Sequence, residues 1–358
     1  MTITEVRVHQ VSVPLHTPWV TAVRRTEVVE SLLVEIVDAD GRSGWGEGVA
    51  TWKITGDSLP GMAAAVAGPL AEAVTGRDPA DLDDLCRAVG TAVVGNTAAK
   101  AAVDCALHDL AAVRLGVPLS QLLGAAPRLM PTDVTLALGP VAEMAEAAGQ
   151  RVAEGFRVLK VKVGGDPVED LHRLVAIRKA AGPGTVIRLD ANQGWTAREA
   201  VRIVSQLEDA DLGIELVEQP VPAGDLDGLA FVSARVSTPV AADETVWSPA
   251  DLVEIVRRRA ADVVNIKLAK SGGLRPARGL VAVAEASGVQ VMVGSMMESH
   301  VGIGAAASLA AVTRTPYAVD LDAAWWLKHS PVTGGPSYEG PDLRLAAAPG
   351  LGITGLRP

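Results

Sequence analysis

Two hydrophobic periods divide the chain. Residues 1 to about 50 alternate apolar and polar positions, with Ile3, Val6, Val8, Val11 and Val13 followed by the run Val28 to Val37. That period of two is the signature of half-buried strands. The turn Asp38-Ala39-Asp40-Gly41 leads into Gly44-Trp45-Gly46-Glu47, so this part reads as an antiparallel meander. Between two of its strands, Thr17 to Arg25 mixes proline, aromatic, apolar and basic residues, which predicts a loop rather than a ladder strand. From about 59 to 124 the period becomes helical. The clearest run is Thr97 to Leu110, with Asn96 placed to cap it and Gly116-Val117-Pro118 to stop it. Residues 1–125 are therefore expected to form a small α+β domain, sheet first and helices after.

Beyond about 130 the pattern alternates strand and helix. Strand-like runs begin near Asp133, Val158, Val186, Ile214, Pro239, Val263, Val289 and Tyr317, at intervals of 25, 28, 28, 25, 24, 26 and 28 residues. Ala-rich helical patterns such as Glu169 to Ala181 and Ala250 to Arg259 fill the gaps. Eight such units over 126–329 predict an α/β fold of the TIM-type barrel kind. A doubly wound sheet is the alternative, but no Gly-x-Gly-x-x-Gly opens a helix after a first strand. Residues 330–358 lose the rhythm and are expected to return to the first domain.

Composition narrows the class. At 358 residues the chain suits one large barrel plus a smaller domain. Its apolar fraction of 49 % is broken everywhere by Gly, Pro or charge before membrane-spanning length. A net charge of −10 without a long basic run argues against nucleic acid and anionic membrane surfaces. Cys86 and Cys105 fall in helical patterns and read as core, since two thiols build neither a disulfide framework nor a zinc site. His108 reads as a packed or surface histidine. The N-terminal residues alternate like a strand rather than an export signal, so a cytoplasmic setting is expected.

The candidate chemistry lies at the ends of the barrel strands, where barrel enzymes work. Asp190, Glu218 and Asp243 each close an apolar run, at intervals of 28 and 25 residues. Three clustered carboxylates repel unless protonated or bound to a cation, and oxygen donors without Cys or His favour Mg²⁺. Lys160 and Lys162 share one face of the second barrel strand; Lys267 ends the sixth. Strands two and six are four apart in a ring of eight, so Lys162 and Lys267 are expected to face each other, with the three acids on the arc between them. A cation there could hold a substrate carboxylate and stabilise the dianion formed when its α-proton leaves. One lysine, made neutral by the cation and its fellow lysine, could take that proton while the other returns one to the opposite face. Lys160 joins this catalytic set, with neutralisation of a metal-bound carboxylate as its simplest role. Asp320 and Asp322 need a cationic partner, most simply a substrate ammonium. Glu298 reads either as a supporting carboxylate or as a helix cap.

Lys160-Val161-Lys162, Asp190-Ala191-Asn192, Val217-Glu218-Gln219-Pro220, Ala242-Asp243-Glu244, Asn265-Ile266-Lys267 and Gly44-Trp45-Gly46-Glu47 closely resemble the enolase superfamily, muconate lactonizing enzyme subgroup, whose sites use a Lys or His base with Mg²⁺. The resemblance implies a modified (β/α)7β barrel under an α+β capping domain whose loops set specificity. Asp320-Leu321-Asp322 resembles the Asp-x-Asp signature with which dipeptide epimerases hold the substrate's α-ammonium. Thr21-Ala22-Val23-Arg24 and Ile54-Thr55-Gly56-Asp57 resemble L-Ala-D/L-Glu epimerases, which implies that Arg24 meets a glutamate side chain. Thr135, Ser295 and Met297 are similar to positions lining the same pocket. Arg25 and the bulky Trp325-Trp326 depart from that pattern. The resemblance implies a Mg²⁺-dependent isomerase of L-Ala-L-Glu-like dipeptides, expected as a homo-oligomer. N-acylamino acid racemase or o-succinylbenzoate synthase activity is the rival, and a cycloisomerase lies further off.

Overall fold

The computed structural model describes residues 2–20 and 25–357, without the side chains of residues 18–20 and 25. Arg24 lies outside the described residues. The chain opens with an antiparallel sheet of β1 (Ile3–Val20), β2 (Arg25–Asp38) and β3 (Ser43–Val49), in that spatial order. Residues 17–20 and 25, expected in a loop, belong to these strands, and 21–24 lie outside the described residues. β1 continues to Val20, re-pairing as Trp19 with Thr26 and Val20 with Arg25 after a register shift between Pro14 and Trp19. Pro14 and Pro18 lack the N–H a regular ladder needs, so pairing falters between them instead of ending.

Helices α1 (Leu59–Ala65), α2 (Ala71–Val74), α3 (Leu82–Ala92), α4 (Thr97–Leu115) and α5 (Leu119–Leu123) follow. Helix α4 packs on β3 at backbone-to-backbone range. A Cβ on Gly46 would stand 1.9 Å from the carbonyl oxygen of Ala102, and one on Gly44 2.3 Å from that of Ala106. The alternating glycines of β3 therefore meet an alanine row on α4, which no larger pair would allow. Asn96 does not cap this helix through its side chain, because its backbone is left-handed and its Nδ2 donates to the Val94 carbonyl. Asp57 takes that place, accepting from the Ala98 N–H at 3.1 Å.

After β4 (Leu129–Pro131) come β5 (Val134–Leu136), α6 (Val141–Ala153), β6 (Val158–Lys162), α7 (Pro167–Ala181), β7 (Val186–Asp190), α8 (Ala197–Asp209) and β8 (Ile214–Glu218). Then follow α9 (Leu226–Ser233), β9 (Val240–Ala242), α10 (Pro249–Arg258), β10 (Val263–Lys267), α11 (Leu268–Ser271), α12 (Leu274–Ser287), β11 (Gln290–Gly294) and α13 (His300–Ala310). Strands β5 to β11 form one parallel sheet in chain order. The eighth strand expected from Tyr317 is not a run. Only Val319 and Asp320 bridge the two sheet edges, at Thr132 and Gly294 respectively. The chain leaves the ladder at once for the 3₁₀ turn Ala323–Trp326. The barrel is thus closed by two residues, which makes it the (β/α)7β form. Capping starts several helices sharply: Asp166 caps α7 and Ser248 caps α10, each with proline at the first helical position.

Beyond the barrel, β12 (Val332–Gly334) pairs with β15 (Ile353–Leu356), and β13 (Ser337–Glu339) with β14 (Asp342–Arg344), which also pairs with β4. Gly350 bridges Pro118, and the Leu351 N–H donates to Asp109 of α4 at 2.5 Å. Two carboxylates of the N-terminal part also reach into the barrel. Glu47 accepts from Ser299 N (2.8 Å) and Gly302 N (2.9 Å) at the start of α13. Asp104 accepts from Leu274 N (2.6 Å) at the start of α12. Helix N-termini offer unpaired N–H groups and a positive dipole end, so each contact satisfies donors the helix cannot. No helix among the described residues is long and apolar enough to cross a membrane.

Candidate active site

The C-terminal ends of the strands open on a cavity of about 390 Å³, roofed by residues 50–54 of the N-terminal part. Asp190 and Glu218 are the last residues of β7 and β8 and are partners in register; Asp243 follows β9 directly. All three are buried, at 0 %, 1 % and 3 % exposure. Three non-glycine residues just beyond these strand ends, Asn192, Gln193 and Gln219, have φ of 42°, 68° and 38°. Such left-handed backbone costs free energy and is held only where the surroundings over-determine it. Gln219 shows how: its Oε1 accepts from the Asp243 and Thr245 N–H groups (2.9 and 3.1 Å), fixing the backbone that presents Asp243.

Four lysines answer these acids. Lys160 Nζ lies 2.7 Å from Glu218, 2.9 Å from Asp320 and 3.1 Å from Asp190. Lys162 Nζ lies 2.6 Å from Asp190. Lys267 Nζ lies 2.8 Å from Asp243, and Lys270, on α11, lies 2.5 Å from the other oxygen of that carboxylate. Burial alone would raise Asp190 and Asp243, but the lysines hold both below the usual carboxylate range. Glu218 goes the other way. Burial pushes it up to about 8, and Asp190 and Asp243 add to the rise against the pull of Lys160. Lys160 stays charged, since Asp320, Glu218 and Asp190 outweigh its burial. Lys267 is raised, because the Asp243 carboxylate beside it outweighs burial and the repulsion of Lys160; the lowering expected of a lysine here was tied to a bound cation as well as to a second lysine. Lys270 is the lysine that burial lowers.

The donor set fits a hard divalent cation. It is all oxygen and its members are buried and repel one another; Asp243 lines the cavity, Asp190 and Glu218 do not, and no Cys or His among the described residues lines it. Glu244, also on the cavity wall, has a buried Oε2 with no hydrogen-bond partner. A different trio, Asp133, Asp320 and Asp322, brings oxygens within 4.8 Å of one another, a spacing that Asp190, Glu218 and Asp243, each drawn onto a lysine, do not share. Each member already has a protein partner: Asp133 meets Arg188 at 3.1 Å, Asp320 meets Lys160, and Asp322 accepts two N–H bonds on one oxygen, while Asp320 and Asp322 still line the cavity.

Residues 3–124 match the mandelate racemase / muconate lactonizing enzyme N-terminal domain, and residues 143–356 match the enolase C-terminal domain-like family. The chain belongs to the enolase superfamily. It is 42 % identical to an L-Ala-D/L-Glu epimerase of Bacillus subtilis over 99 % of this chain and 97 % of that protein. The structure of a substrate-liganded complex of that epimerase superposes with a TM-score of 0.97, covering 100 % of both chains. A dipeptide epimerase from Enterococcus faecalis, complexed with Mg and the dipeptide L-Leu-L-Tyr, gives a TM-score of 0.95 at 39 % identity, covering 99 % of this chain and 100 % of that one.

Within this enolase-superfamily site, Thr135, Ser295 and Met297 line the cavity together with Lys160, Lys162, Lys267, Asp320 and Asp322. The cationic partner that Asp320 needs is found within the protein: Lys160 meets it, and Asn265 Nδ2 bonds both it (3.0 Å) and Glu218 (2.9 Å). A fully buried carboxylate needs an internal counter-charge whether or not substrate is present. Glu298 is not the cap of α13; Ser299 is, accepting from Val301 N–H. Glu298 is buried and pushed up to about 8 by that burial and by Glu47. Arg188, halfway along β7, is another surprise. It is 1 % exposed and bonds Glu215 (2.5 Å), Asp133 (3.1 Å) and the Ala318 carbonyl (2.9 Å) inside the barrel. His108 is packed, its Nδ1 lying 2.8 Å from the Asp104 carbonyl, and both cysteines are buried and unbridged.

Proposed function

We propose that this chain is a Mg²⁺-dependent dipeptide epimerase, inverting the Cα of the C-terminal residue of L-Ala-L-Glu or a similar dipeptide. The observation that carries the reading is the placement of two amines. Lys162 on β6 and Lys267 on β10 stand four strands apart in the ring, and both line one cavity. The carboxylates of β7, β8 and β9 lie on the arc between them.

Asp190, Glu218 and Asp243 are the residues that would hold Mg²⁺. When bound, it supplies positive charge against the negative charge that builds on a substrate carboxylate as the α-proton leaves. The remaining work falls to the chain's own groups. An uncharged Nζ of one lysine accepts the α-proton, breaking the C–H bond and leaving its electron pair delocalised into the adjoining carboxylate. The protonated Nζ of the other lysine delivers a proton to the opposite face of the same carbon. The reverse reaction exchanges the two roles. Lys160, locked between three carboxylates, stays charged and holds them together. Asp322, with Asp320 beside it, receives the substrate's α-ammonium. Thr135, Ser295 and Met297 shape the pocket, and Arg24 meets the acidic side chain. The cytoplasm and a homo-oligomeric assembly complete the proposal; light scattering reads the latter.

Incubation of the protein with Mg²⁺ and a dipeptide panel in D₂O tests this reading. Deuterium should enter Cα of the C-terminal residue of acidic dipeptides and not of their N-acylated forms. No incorporation into any dipeptide overturns the reading. Arg24→Ala should weaken turnover of acidic dipeptides more than of neutral ones, and an equal loss on both would remove Arg24 from recognition.

A further inference from the structure

We infer that Trp326 is a positioning residue that fixes Asp322 for the substrate ammonium and ties that fixing to the N-terminal sheet. The inference rests on the dipeptide reading of the site and adds a residue to it. Asp322 Oδ2 accepts two N–H bonds, from the Thr135 backbone at 2.7 Å and from the Trp326 indole Nε1 at 3.0 Å. Asp322 lines the cavity, whereas Trp326 does not. Both donors meet Oδ2 and, among the described residues, none meets Oδ1, so the carboxylate is held by one oxygen and presents the other. Two donors on one oxygen set both the χ angles and the plane of the group, which is the arrangement a directional charge-assisted bond requires.

The indole is itself held in place. It is four residues beyond Asp322, at the end of the 3₁₀ turn, and only 7 % exposed. His16 of β1 stacks on it with centroids 5.2 Å apart and planes 27° from parallel, Trp325 stands edge-on at 4.9 Å, and the Arg151 guanidinium lies over it at 5.5 Å. Directly after it, Leu327 bridges Leu15 of β1 and the Lys328 N–H donates to the Pro14 carbonyl at 3.0 Å. The N-terminal sheet thereby grips the turn that aims Asp322. Tryptophan fills such a slot and also donates a hydrogen bond from its ring.

Trp326→Phe keeps a ring in the slot and removes the N–H. For L-Ala-L-Glu, measured with Mg²⁺, KM should rise about tenfold, the worth of one well-placed hydrogen bond, with kcat changed less than about threefold and the melting temperature nearly unmoved. If Trp326→Phe is folded and its KM matches the wild type, the inference is overturned while the dipeptide reading stands. Should the phenylalanine variant fail to fold, benzothienylalanine at 326, an isostere lacking the N–H, replaces it with the same expectations. If the wild type turns over no dipeptide, the dipeptide reading fails on its own. The positioning is then read from ¹³C titration of Asp322: an upward shift in Trp326→Phe supports it, and an unmoved titration overturns it.

Discussion

Lys160 Nζ lies 2.9 Å from Asp320 Oδ2 while also meeting Asp190 and Glu218, so one ammonium joins the arc of strand-end acids to the closing strand of the barrel. Removing it leaves three buried carboxylates without their shared counter-charge. Lys160→Met should destabilise the metal-free protein by about 3–5 kcal/mol, the usual cost of breaking a buried pair from one side. Urea denaturation reads this. Millimolar Mg²⁺ should recover more stability in the variant than in the wild type, because the ion replaces the missing charge.

The three strand-end acids should make activity metal-dependent. Chelation should abolish deuterium exchange, and added Mg²⁺ should restore it. Asp243→Asn removes one ionised ligand, and calorimetric titration should show Mg²⁺ binding weakened at least tenfold. An unchanged affinity would place the ion elsewhere.

Glu47 holds the N-terminus of α13 from β3, through Ser299 N and Oγ and Gly302 N. Glu47→Ala removes these charge-assisted bonds and leaves buried donors unmet, so it should cost about 2–4 kcal/mol of stability by urea unfolding. A variant as stable as the wild type would show that these donors find water or another partner.

His300, at the start of α13, is pushed down to about 4 by burial and by the charge of Arg357. The unfolded chain binds that proton near 6.5, so between the two values the unfolded state holds more protons. The stability tied to the neutral ring is complete above pH 6.5 and lost as pH falls toward 4, by at most about 3 kcal/mol. His300→Gln should flatten this part of the curve when urea midpoints at pH 7.5, 6 and 5 are compared with the wild type.

The parallel strands and their terminal acids were legible because each βα unit repeats at a near-constant interval and ends its apolar run in a charge. What the pattern hides are polar groups facing inward from within an apolar run. Arg188 sits between Ile187 and Leu189 and reads as an interruption, although the barrel interior supplies Asp133 and Glu215 to meet it. Asn265 is similar, lying in Val263-Val264-Asn265-Ile266-Lys267. Lys270 could have been noticed three residues after Lys267, one helical turn on, but nothing local tells that α11 turns it back onto Asp243. The charge of Lys267 was hidden for a different reason. Spacing places charges near one another but does not say which pair touches, and the 2.8 Å contact with Asp243 decides the direction. The eighth strand was read as a full unit because Tyr317 to Leu321 carries a strand pattern, whereas only Val319 and Asp320 enter the ladder.

The central claim is that Lys162 and Lys267 serve opposite faces of one carbon. Single alanine variants of each, incubated with either epimer of the dipeptide and Mg²⁺ in D₂O, test it most directly. Neither variant should epimerise. Each should still exchange the α-proton of one epimer only, and the two variants should keep opposite epimers. Continued epimerisation by either variant, or exchange of the same epimer by both, would contradict the two-base account.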